Sequence, residues 1–411
     1  MHQFNKNLLK FIDASPTPFH AVGQMVEALE AKGFQKLDEC DVWGLEDGKK
    51  YYVTRNDSSI IAFTYPPCVE KGYTIVGAHT DSPHLRLKPN PVTKSAGMIR
   101  FGVEPYGGLL LNPWFDRDLS LAGRIVYLNN GKREEKIIDL KRPIGVIASL
   151  AIHLDREANS SRSINAQTDI VPMIGCGEEF DFESWILDEV GASNGRLLAH
   201  ELSFYDVQKA SFIGIHEEFI TSARLDNLLS CYVGLQALSE SKNPMMIACM
   251  DHEEVGSESH VGAGGTFLEE TLRRIAGENF TPLMRRSLMV SCDNAHAQHP
   301  NFPSKHEGEH APLLNRGVAI KINANQRYAT TARTMGRFVQ CAQSIGVATQ
   351  VFVTRSDMGC GSTIGPITAT RLGIETIDVG VPTLAMHSIR ELSGVEDAYG
   401  LTQILLHIGA Y

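Results

Sequence analysis

The sequence predicts an α/β fold: an α/β/α layered domain on a mostly parallel central sheet, interrupted by an inserted β-rich domain. Three observations predict it. From Ala223 to the C-terminus, apolar strand-like runs alternate with helical ones, the pattern of parallel strands joined by helices. Between about Pro89 and Ser222 the turn signals KPNP, YGG, LNP and NNG divide the chain into short β-like runs, and long helical patterns are sparse. The chain has 411 residues, more than one domain at ~150 residues per domain, with no internal repeat and no long linker.

Each element has a local reason. Ser15-Pro16-Thr17-Pro18 breaks a first helix and opens a second over Phe19–Lys32, closed at Gly33. Tyr51–Arg55, Ile60–Tyr65 and Thr74–Ala78 are β-branched or aromatic runs and read as strands. In the middle region Arg124–Leu128, Lys136–Asp139, Ile144–Ala151 and Asp206–Ile215 read as strands, and Ser184–Gly191 as a helix. The last region gives strands at Met246–Asp251, Leu288–Cys292, Val318–Ile322, Thr349–Thr354 and Ile374–Val379. Its helices are Leu225–Ser239, Gly265–Ala276, Thr330–Ile345 before Gly346, Ser362–Leu372 and Gly400–Ile408. The expected domains are therefore 1–88 plus 223–411, and an inserted 89–222.

Composition narrows the function. Apolar residues make up 43% and charged ones 21%, ordinary for a globular chain and unlike a disordered one. The net charge of −10 argues against nucleic acid or an anionic membrane as the main partner. The start lacks the apolar region of a signal peptide, and runs such as Met245–Met250 fall far short of the ~20 residues that span a bilayer. A cytoplasmic protein is expected. The eight cysteines form no C-x-x-C pair and several sit in apolar runs, which favours buried reduced thiols over disulfides.

The chemical signal is a set of acids and histidines at strand ends, where open α/β sheets bind ligands. In GAHTDSP, His79 and Asp81 are two apart and share a side in extended chain; His79 suits a metal while Asp81 steers its ring. In DHEEVG, after MMIACM, Glu254 suits a ligand while Glu253 faces the reacting centre as general base. Two carboxylates at the end of an apolar strand also demand a positive partner. Asp293 follows the strand SLMV, Asp226 opens a helix in TSARLDN, and His387 follows Val381-Pro382. Each alone reads as a solvated turn, an N-cap or a satisfied histidine. Together His79, Asp226, Glu254, Asp293 and His387 fit a dinuclear site with Asp226 bridging. Histidine and carboxylate ligands without thiolate suit Zn²⁺, Mn²⁺ or Co²⁺. The surplus histidines His296, His299, His306 and His310 read as a polar loop. Gly359-Cys360-Gly361 is no phosphate loop, since no G-K-[ST] follows.

The segments GAHTDSPHLRLKP, AIHLDRE, TSARLDNL, DHEEVGS, SCDNAHAQHPN, IKINANQRYATT, GCGSTIGPI and AMHSIRE occur in order over nearly the whole chain, and together they resemble the aspartyl aminopeptidases. The resemblance implies a cytosolic dinuclear zinc metallopeptidase, with two ions per subunit and Glu253 as the catalytic carboxylate. Its substrates would be peptides with a free, preferably acidic N-terminus. It further implies that 89–222 is a dimerisation domain, that dimers assemble into a dodecamer, and that His153 reaches the active site of a neighbouring subunit. Lys321 would be the cation for an acidic substrate side chain; the alternation Val318, Ile320, Ile322 buries one face and turns Lys321 to the other. The peptide bond after the bridging Asp226 would be cis. A dinuclear carboxypeptidase or N-deacylase and a metal-stabilised assembly scaffold are the rival readings.

Overall fold

The structure, a computed structural model, describes residues 1–68 and 70–411. The chain forms two compact units. One comprises Met1–Asp81, Ala210–Met386 and Glu391–Tyr411, and the other Ser82–Lys209 with His387–Arg390.

The first unit is built on a nine-stranded sheet. Its strands lie in the order Gln35–Lys36, Lys50–Arg55, Ser59–Thr64, Met245–Met250, Thr74–His79, Leu288–Cys292, Glu375–Gly380, Val318–Ile322 and Thr349–Val353. The centre is parallel, with Thr74–His79 between Met245–Met250 and Leu288–Cys292. Antiparallel pairs lie further out, including Ser59–Thr64 against Met245–Met250 and Val318–Ile322 against Glu375–Gly380.

Both faces of this sheet are covered, and the side-chain period of two decides which residue faces which layer. In the wholly buried strand Met245–Met250, Met245, Ile247 and Cys249 join a core with the helices His2–Asp13, Pro18–Ala31, Leu225–Glu240 and Asp397–His407. Met246, Ala248 and Met250 join a second core with Phe267–Ala276, Phe280–Arg286 and Ile364–Leu372. These layers make the α/β/α arrangement. The helix Ala332–Ser344 starts in a capping box between Thr331 and Thr334, and Ile364–Leu372 ends at Gly373 in left-handed geometry. A small sheet of Ser211–Ile213, Phe219–Ser222, Glu391–Gly394, Pro382–Leu384 and Ala295–His296 completes the unit.

The second unit is an antiparallel six-stranded sheet over its own core, which takes in the helix Phe182–Glu189. Three sequence expectations change here. KPNP is no turn: Pro89 and Pro91 lie inside the strand His84–Ser95, at an irregularity between Leu87 and Val92, where a missing N–H is tolerated. Ile144–Ala151 is no strand; it makes only isolated bridges at Gly145 and Val146. The strand expected over Asp206–Ile215 ends at Asp206, having begun at Arg196, and a separate short strand spans Ser211–Ile213.

All eight cysteines are free, but only Cys231, Cys249, Cys292 and Cys341 are buried. Among the described residues no helix is long and apolar enough to cross a membrane.

Candidate metal centre

The parallel register builds the centre. Met250 is level with His79, and Leu288–Ser291 pairs with Thr74–Gly77. These strands are buried throughout, and their acids and histidine stand at the C-terminal ends, at His79, Asp251–Glu254 and Asp293. Asp226 arrives from the start of Leu225–Glu240. Arg224 there is left-handed, Asp226 (φ −81°, ψ 105°) and Asn227 (φ −127°, ψ 24°) depart from helical geometry, and no side chain caps the helix. Asp226 is therefore not an N-cap. The Asp226–Asn227 peptide is cis.

Five of the expected residues converge within this unit. His79 Nε2 lies 3.4 Å from Asp226 Oδ1, 3.6 Å from Asp293 Oδ1 and 4.0 Å from Glu253 Oε2. His79, Asp226 and Asp293 offer ligand atoms within 4.8 Å of one another, as do His79, Glu253 and Glu254. Asp81 organises them from behind. It is fully buried, and its two carboxylate oxygens each accept a backbone N–H, from Glu253 and Glu254, at 3.1 Å. Its main-chain oxygen lies 3.0 Å from His79 Nδ1. Donation from Nδ1 leaves the Nε2 lone pair facing the acids.

The electrostatics ask for a cation. Burial first, then the nearby carboxylates of Asp293, Asp226 and Asp81, push the Glu253 pKa up to about 7, while His79 opposes them. Burial and then Asp81 raise Asp251 to about 6. Burial works to lower the His79 pKa, but hydrogen bonds to Asp226, Asp293 and Asp81 outweigh it and hold the ring well above its usual value. Buried carboxylates at this density are costly unless positive charge meets them. The donors are imidazole nitrogen and carboxylate oxygen without thiolate, which fits zinc.

The other expected residues are placed as follows. Lys321 lies on the face of its strand away from Val318 and Ile320. Both faces of its strand are covered, and it is 3% exposed, its ammonium 3.2 Å from Asp293 Oδ2 and 5.4 Å from the Tyr328 ring centre. His387 belongs to the second unit, its Nδ1 2.9 Å from the Gly108 carbonyl oxygen. His153 is exposed in that unit. The histidine-rich segment lines a cavity of about 370 Å³ that runs from His296 and Tyr328 to His299, His306 and His310.

Sequence reasoning missed three contributors. Tyr328 lies under the Lys321 ammonium, and Asn227 donates from Nδ2 to the Cys292 carbonyl, one residue before Asp293, at 2.9 Å. Gly380 packs so close to the Asp293 carbonyl that a Cβ would collide with it. For Asn227 the available signal was a polar residue beside Asp226 at the start of an apolar helix.

Residues 11–407 match the family described as aminopeptidase I zinc metalloprotease (M18). The "Probable M18 family aminopeptidase 2" of Pseudomonas aeruginosa (strain UCBPP-PA14) is 52% identical over 416 residues, covering 98% of this chain and 97% of its own. Among solved structures, the cryo-EM structure of the Ape4 and Nbr1 complex matches at TM-score 0.94 and 40% identity, over 99% of this chain and 85% of that one. The S. cerevesiae mApe1 dodecamer matches at TM-score 0.85 and 28% identity, over 98% and 97%. With strand-end acids of this kind and a family match over almost its whole length, the chain belongs to the M18 zinc aminopeptidases.

Proposed function

We propose that this zinc aminopeptidase removes N-terminal residues from peptides, preferring Asp and Glu, with Glu253 as general base for a water that two zinc ions, when bound, would activate. The observation that carries the reading is the Asp81 clamp. One buried carboxylate fixes the backbone of both Glu253 and Glu254, so adjacent acids can take different roles. His79, Asp226, Glu254, Asp293 and His387 would hold the zinc; the role of His387 and the sharing of Asp226 between ions rest on the sequence resemblance.

Zinc, when bound, polarises the scissile carbonyl and lowers the pKa of a water toward ~7. Asp81 holds the His79 ring and the Glu253–Glu254 backbone in place. Glu253 takes the proton of the attacking water and passes it to the leaving amine, help worth ~10²–10⁴-fold. Lys321, already beside Asp293, answers the substrate's acidic side chain, and His153 of a neighbouring subunit contacts the substrate. Residues 89–222 mediate dimerisation, and the dimers form a dodecamer in the cytoplasm, an assembly supported by the dodecameric S. cerevesiae mApe1.

Chromogenic peptides with N-terminal Asp, Glu, Leu and acetyl-Asp test the reading, with and without chelator. Chelator-sensitive cleavage of the free acidic substrates is expected, with the acetylated one untouched. Cleavage of the acetylated peptide would favour an N-deacylase. Lys321→Ala is expected to cut turnover of Asp and Glu substrates roughly 10–100-fold more than that of Leu; an equal loss on all substrates removes the specificity role.

A further inference from the structure

We infer that Glu391 is a positioning residue for the metal centre, fixing the backbone from which the bridging carboxylate projects. The inference rests on Asp226 being a metal ligand, as proposed above.

Glu391 opens the strand Glu391–Gly394, which pairs antiparallel with Phe219–Ser222 so that Glu391 lies opposite Ser222. Ser222 is four residues before Asp226, so the pairing carries Glu391 to the base of the Asp226 segment. Its side chain is 2% exposed, and a carboxylate oxygen accepts the Asp226 backbone N–H at 3.0 Å.

This is no ordinary helix cap. Asp226 has non-helical ψ, so the bond fixes the segment where the chain departs from the helix. The far side is held as well, by the Asn227 amide on the Cys292 carbonyl at 2.9 Å. Asp226 thus sits between two side-chain anchors, and the second ties it to the strand that delivers Asp293.

Another buried carboxylate near a cluster of acids is costly. A helix start could be satisfied by a neutral Ser or Asn. The long glutamate side chain instead reaches the Asp226 N–H from the neighbouring strand pair, so the acceptor is fixed by a different element of the fold. Partners that orient ligands in this way typically change metal affinity 10–100-fold when removed.

The test measures zinc affinity by competition with a chromophoric chelator, zinc content per subunit, and melting of the chelator-stripped protein. The variants are Glu391→Gln, Glu391→Ala, Thr221→Val and Asp226→Asn. Thr221 donates to the Glu391 backbone carbonyl, so Thr221→Val disturbs the same strand pair without touching the carboxylate. The expected result is that Glu391→Ala weakens zinc binding roughly 10–100-fold. Glu391→Gln, which keeps an acceptor oxygen, should stay within about threefold of wild type, and Thr221→Val should bind normally. Wild-type affinity in Glu391→Ala overturns the inference. So do equal losses in the Ala and Gln variants, which would assign the effect to charge alone. So does a loss in Thr221→Val that matches Glu391→Ala, with stripped melting lowered in both, which would make the role structural. Unchanged zinc binding by Asp226→Asn would instead overturn the ligand assignment beneath the inference.

Discussion

The two units spend their burial differently. In the first, sheet strands such as Met245–Met250 are buried on both faces, and carboxylates are buried at the strand ends. In the second, one antiparallel sheet covers one core. Its edge strand Lys132–Asp139 is mostly exposed and heavily charged, a common guard against edge pairing. Beyond it the loop keeps apolar side chains outside: Leu150, Ile152 and Leu154 are 53%, 48% and 76% exposed. The strand-end acids of the first unit are short of positive charge and the loop of the second is short of cover, and each shortage suits a kind of partner, a dication in one case and apolar protein surface in the other.

The sharpest way to break this contrast is at Glu253. Glu253→Gln is expected to lower kcat about 10²–10⁴-fold while zinc content stays at the wild-type level. Turnover near wild type with full zinc ends the general-base role.

Zinc removal should act mainly on the unit that supplies His79, Asp226, Glu254 and Asp293. At zinc concentrations of about 1,000 Kd the bound ion adds about 4 kcal/mol. After chelation, hydrogen exchange should accelerate at 74–79 and 288–292 and stay unchanged at 84–106. Equal acceleration in both segments would erase the distinction between the units.

A charge in the exposed loop tests the other shortage. Leu154→Asp should reduce assembly size in light scattering and leave secondary structure by circular dichroism unchanged. An undisturbed assembly would mean that this patch is not covered by another copy.

The smallest expected effect concerns Asp397, which is 1% exposed and raised by burial to about 6, although it accepts N–H bonds from Asn315 and Gly317. The folded state keeps this proton between about pH 4 and 6, where the unfolded chain has lost it. The group's contribution is therefore full in acid and lost as pH rises through about 6, a change of about 3 kcal/mol at most. Asp397→Asn should gain melting temperature relative to wild type as pH rises from 4 to 7. A constant difference over that range would refute it.

What the amino acids disclosed in advance follows from burial. Leu288–Cys292 and Val318–Ile322 were readable to the residue, because a strand covered on both faces is a continuous apolar run with sharp ends. The same sharp ends made His79, Glu253, Glu254 and Asp293 visible. The alternation put Lys321 on the face away from Val318 and Ile320; its burial there was not readable, because alternation assigns faces but not their cover. The hairpin through Pro89 and Pro91 was hidden because an irregular strand tolerates residues that elsewhere signal turns. Ile144–Ala151 misled because its apolar residues are not all inside. Glu391 and Asn227 act on backbone atoms of residues distant in sequence; the polar position of Asn227 beside Asp226 hinted at a role, but no local pattern names the partner of either.

Gly380 carries a last consequence. Its neighbour's main chain stands where a methyl group would go, so alanine there would have to push Asp293 aside. A mutational survey scoring only catalysis would rank this position among the chemical residues, although it donates, accepts and ligates nothing through a side chain. Its contribution is emptiness of a fixed size, and redesign of the centre is free to change many side chains around it before it can fill that gap.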